Sequence, residues 1–117
     1  MGTKIETGNY VEAEKWVKGK IVVGFFIGAD LPPKCDSRKL TFKLTSEDSV
    51  ACWETATLAR QVAQMQAGGY YRIVCNGKSV QTKNGDAWGF DVEKADSEAE
   101  VKKWEQEYRA YVAGGGK

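Results

Sequence analysis

Ser49 to Lys78, S-V-A-C-W-E-T-A-T-L-A-R-Q-V-A-Q-M-Q-A-G-G-Y-Y-R-I-V-C-N-G-K, reads as strand, helix, tight turn and strand. Val50 to Trp53 is short and apolar. Leu58, Val62 and Met65 recur at helical spacing, Gly68-Gly69 breaks that helix, and Tyr70 to Cys75 carries strand residues.

Upstream, Gly19 to Gly28 is a strand in which Ile21, Val23, Phe25 and Ile27 share one face while Lys20, Val22, Gly24 and Phe26 share the other. Its interior Gly24 predicts a bulge or a sharp bend where one strand serves two parts of a barrel. Pro32-Pro33 makes Ala29 to Ser37 a loop, and Lys39 to Leu44 alternates as a half-buried strand with Leu40, Phe42 and Leu44 inward. Tyr10 to Trp16 fits either a helical turn or an extended arm. Downstream, Asn76-Gly77 carries a hairpin signal, so the segment up to Asn84-Gly85 is either one long loop or a strand running to a hairpin tip. Asp86 to Glu93 is the last strand, with Trp88, Phe90 and Val92 expected in the core. Ser97 and Glu100 form a capping box, and Val101, Trp104, Tyr108 and Tyr111 give the helix that follows an apolar stripe, with Lys102, Lys103, Glu105 and Arg109 expected in solvent.

The chain has 117 residues and a formal net charge of +1, enough for a single domain with one core and too neutral for binding through bulk charge. The charge is uneven, however. Lys15 to Lys43 holds seven basic residues against two acids, and Tyr70 to Gly85 holds Arg72, Lys78 and Lys83 with no acid. If these stretches meet they form a positive face; the plainer alternative is that the lysines only keep a sheet soluble.

Three cysteines, Cys35, Cys52 and Cys75, with no C-x-x-C pair and no histidine, point to reduced thiols and to no metal site. The polar N-terminus and the lack of a long apolar run predict a protein of a reducing compartment such as the cytoplasm, with no membrane partner. Chemistry is poorly represented. Gly77-Lys78-Ser79 ends like a phosphate-binding loop, but Arg72 stands where its first glycine belongs. There is no histidine for a triad and no nucleophile elbow, and the apolar strands around Cys52 and Cys75 disfavour a reactive thiol. The expectation is a binding protein with neither enzymatic activity nor a cofactor.

The order of strand, strand, strand, helix, strand, strand, helix, with a glycine in the first strand, resembles the OB-fold, a partly open five-stranded Greek-key barrel. Ala51 to Ala59 (A-C-W-E-T-A-T-L-A) is similar to the strand-to-helix passage of single-stranded DNA-binding OB domains, such as those of replication protein A and phage single-stranded DNA-binding proteins. Gly69 to Lys78 and Lys83 to Val92 are similar to the fourth strand, basic loop and fifth strand of that group. Glu54 departs from it, standing where a glycine often follows the aromatic.

The resemblance implies a mainly β fold, an OB barrel over about 18–93 within one domain of 1–117, with a C-terminal helix over about 97–113. It implies ligand binding across the second and third strands and between the loops Ala29 to Arg38 and Asn76 to Gly85, where both basic stretches fall. The expected function is binding of single-stranded DNA, or RNA less readily, with little sequence preference, as a phage or plasmid replication or recombination accessory. Lys34, Arg38, Lys39, Lys43, Arg72, Lys78 and Lys83 would track phosphates, and Phe26, Trp53 or Tyr70 would stack on bases. Trp53 faces either the groove or the core. A rival expectation is an OB-like protein–protein module whose C-terminal helix docks on a second copy or a replication protein.

Overall fold

The computed structural model describes residues 16–82 and 85–114. Expectations for Met1 to Lys15, for Lys83 and for the terminal Gly115 to Lys117 lie outside the described residues. The elements are β1 (Ile21–Asp30), β2 (Lys39–Lys43), β3 (Ser49–Trp53), α1 (Ala56–Val62), β4 (Tyr70–Thr82), β5 (Gly85–Lys94) and α2 (Glu98–Ala113). The fold is mainly β: a five-stranded antiparallel sheet in the order β3-β2-β1-β4-β5, with two helices. Among the described residues β3 and β5 are its edges, and the ladder does not close on itself.

β1 is the hub. Its first half, Ile21 to Phe25, pairs with β4, and its second half, Phe25 to Asp30, pairs with β2. The handover falls at the interior glycine. Gly24 has φ +149°, and a Cβ there would lie 2.8 Å from the Phe42 Cβ, so only glycine lets the strands approach this closely. A bulge at Ile27 then shifts the register towards β2.

One face of every strand looks into a common core. Val22 and Phe26 of β1, Leu40 and Phe42 of β2, Cys52 of β3, Ile73 and Cys75 of β4 and Phe90 of β5 pack there, with Leu58 and Val62 of α1. Thr55 caps α1 by accepting from the Leu58 N–H at 3.3 Å. Helix α1 also covers the free edge of β5, because the Thr57 hydroxyl donates to the Trp88 carbonyl at 2.6 Å and Gln61 Nε2 to the Phe90 carbonyl at 3.3 Å. Trp16 seals the end of the core, edge-on to Phe90 at 4.8 Å, with its Nε1 donating to the Trp53 carbonyl at 2.7 Å.

A second apolar layer lies on the other side of β1. Val23, Leu44 and Tyr70 are buried there beneath Trp104 of α2, flanked by Ile21, Phe25, Val101 and Tyr108. Both faces of β1 are therefore covered, which is why the strand is apolar without alternation. The Ser97 hydroxyl accepts from the Glu100 N–H as the capping box predicts, while the Glu100 carboxylate reaches one residue further back, to the Asp96 N–H at 2.7 Å.

Three readings of the sequence are corrected. Asn76-Gly77 is not a hairpin turn: β4 runs through it as a bulge and pairs with β5 as far as Thr82. The strand-to-a-tip alternative is the one realised. Trp88 is 42 % exposed, because β4 and β5 project past the core and alternation at that point has no interior to face. Glu105, off the apolar stripe of α2, is buried beside Trp104.

Candidate nucleic-acid interface

Strand register decides which side chains share the outer face of β2 and β3. Leu40 and Cys52 are partners in the core, so their neighbours Lys39 and Trp53 form a cross-strand pair on the opposite face. Thr41 lies opposite Ala51 and Lys43 opposite Ser49 on the same face. Trp53 therefore faces away from the core, half-exposed at the end of β3. Towards β1, the partner of Lys39 is Asp30.

The charges on this surface are largely matched. Arg38 donates to Glu54 through Nε at 2.8 Å and through Nη2 at 2.6 Å, a bidentate fork that ties the end of the β1–β2 loop to the residue after Trp53. The carboxylate that departs from the resemblance is thus the partner of one of the expected phosphate ligands. Lys43 lies 3.6 Å from Glu47, whose φ of +75° places it in the tight β2–β3 turn. Lys34 is exposed, at φ +64°, in the turn closed by the Cys35 N–H on the Pro32 carbonyl. Lys39, Trp53 and the Arg38–Glu54 pair accordingly gather at one end of β2 and β3, and Lys34 lies in the loop that leads into β2.

Other expected residues are placed differently. Phe26 is in the core, 5.4 Å from Phe42 and 6.4 Å from Tyr71. It cannot stack on a base, because the strand face assigned to the groove faces the interior. Tyr70 is buried under α2, stacked on Trp104 at 6.4 Å and edge-on to Phe25 at 4.8 Å. Burial first, then the nearby Glu105 carboxylate, push its phenol pKa upward.

Arg72 fastens α2: it donates to Glu107 through Nε at 2.8 Å and Nη2 at 2.9 Å, and through Nη1 to Glu93 at 3.2 Å. Its hydrogen bond to Glu107 holds that carboxyl below the ordinary 4.5 despite partial burial. Tyr70 and Arg72 looked available because a single strand shows alternation but not which helix will cover it. Lys78 is exposed on β4, its N–H held by Asn76 Oδ1 at 2.9 Å.

Trp88 is the exposed aromatic that sequence reasoning placed in the core. The signal that could have found it is its position next to Asn84-Gly85, where a hairpin leaves the core behind. Cys52 and Cys75 are buried, and burial pushes the Cys52 thiol up to about 12 against the opposing pull of Lys20. Among the described residues no cluster of three potential metal ligands occurs, and no helix is long and apolar enough to cross a membrane. No protein-family model matches the chain, and no curated protein or solved structure matches it either.

Proposed function

We propose that the chain is a small OB-type barrel that binds single-stranded nucleic acid, DNA in preference to RNA, across the outer face of β2 and β3. The observation that carries the reading is the Lys39–Trp53 cross-strand pair, a cation beside a half-exposed indole on the face turned away from the core. A strand of nucleotides needs that combination, a charge for the phosphate and a ring for the base. The strand order, the split pairing of β1 at Gly24 and the helix between β3 and β4 support the barrel reading. The rival module has less support, since the stripe of α2 that would dock a partner packs on its own sheet.

Titration of oligo-dT followed by tryptophan fluorescence tests the proposal. Trp53→Ala should weaken binding by about 5- to 150-fold, the range of one lost base stack. Arg72→Gln should leave the affinity unchanged while lowering the melting temperature, because its partners are Glu93 and Glu107. An affinity indifferent to Trp53→Ala overturns the assignment.

A further inference from the structure

Positive charge unmatched by any described carboxylate collects on the far side of α1. A cleft of about 670 Å³ separates the exposed side of that helix from the β4–β5 hairpin, with Thr57, Arg60 and Gln61 on one wall and Lys78, Val80 and Gln81 on the other. Among the described residues no carboxylate lines it. Arg38, Lys43, Arg72 and Arg109 all have carboxylate partners, whereas Arg60 and Lys78 make no ion pair with a described residue.

A third cation stands beside them. A Cβ on Gly77 would fall 2.6–2.7 Å from the Lys18 stem, so Lys18 rests on the glycine next to Lys78. The cleft also has apolar surface suited to bases. Val80, on the hairpin wall, is 38 % exposed, and the Trp88 carbonyl, held by Thr57, ties the hairpin to the start of the helix. Gln61 Nε2 is bonded to the Phe90 carbonyl and Asn76 bridges Lys78 and Asp91, so the polar walls are held in place.

We propose that this cleft holds a phosphodiester segment of single-stranded nucleic acid, with Arg60, Lys78 and Lys18 on the phosphates and Val80 against the bases. The inference rests on the function proposed above and extends it. The strand leaves the sheet at Trp53, passes the start of α1 and continues between helix and hairpin. Thr57 is bonded to the Trp88 carbonyl, so the same helix start lies between the two tryptophans. Helix α1 is then a wall of the binding site as well as a cover for the core.

Oligo-dT of about 4 and about 16 nucleotides, the limits of site size for one such domain, separates the two surfaces. Arg60→Gln with Lys78→Gln should weaken the longer oligonucleotide about 10-fold at low salt and lower its salt slope by about 1.4, while leaving the shorter one unaffected. Neither makes an ion pair with a described residue, so the melting temperature should hold. Lys102→Gln with Lys103→Gln on α2, removing the same charge elsewhere, should change neither affinity nor slope.

Wild-type affinity and slope in the Arg60–Lys78 variant would overturn the cleft, as would an equal loss in the Lys102–Lys103 variant. If Trp53→Ala still weakens both lengths, the sheet-face reading survives that failure. Absence of binding by the unaltered protein at low salt overturns both.

Discussion

Arg38 and Glu54 grip each other through two hydrogen bonds, and that pair limits the charge the β2–β3 face can offer a phosphate. Asp30 opposite Lys39 and Glu47 near Lys43 act in the same direction. A ligand on this face would depend on Trp53 more than on charge, and its affinity should vary only gently with salt. Glu54→Gln removes the competitor and frees Arg38. Oligo-dT should then bind several-fold more tightly at low salt, with a salt slope steeper by about 0.7, the increment for one more phosphate contact to a single strand. An unchanged slope in the salt titration would mean that Arg38 does not reach the ligand. Residue identity had indicated Trp53 and Lys39, but their pairing appears only in the register.

At the scale of the element, α2 shows the limit of periodicity. The stripe of Val101, Trp104 and Tyr108 was legible, and it packs on β1 and Tyr70. Glu105 was not, because a pattern of apolar residues says nothing about a carboxylate beside it. Burial works to raise the Glu105 carboxyl, but the Thr45 N–H at 2.6 Å and the Thr45 hydroxyl at 2.8 Å outweigh burial, and its pKa lies below the ordinary 4.5. Arg72 lowers Glu107 as well.

Both carboxyls therefore take up protons less readily folded than unfolded. Their contribution is complete above the ordinary carboxyl range and is lost as pH falls below 4.5 towards the lowered folded values. Acid titration should lower the melting temperature over that window, with the near-ultraviolet signal of Trp104 and Tyr70 changing alongside it. Glu105→Gln should flatten this acid dependence; a variant that keeps the full slope would show that Glu105 is not the group responsible.

For the whole molecule, the shape depends on β1 serving two neighbours. Gly24→Ala places a methyl 2.8 Å from the Phe42 Cβ at φ +149°, so both contact and backbone oppose it. The expected loss is about 2 kcal/mol or more, a fall of roughly 8 °C or more in melting temperature for a domain of this size. Thermal unfolding by circular dichroism reads it, and a shift under about 4 °C would show that the strands can part without cost.

The linear sequence by itself determined the elements, their order and the bend in β1, since strand alternation, helical spacing, capping and an interior glycine are local physics. It also specified the residue types that nucleic-acid binding would use. Only the tertiary structure decided which of them are available. Phe26 and Tyr70 are interior, Arg38 and Arg72 face carboxylates distant in the chain, and Trp88 is exposed although Phe90, on the same face of its strand, is buried. The physical reason is that burial and charge pairing belong to surfaces in contact. A strand's own pattern marks its two faces, but the neighbours that cover each face come from elsewhere in the chain.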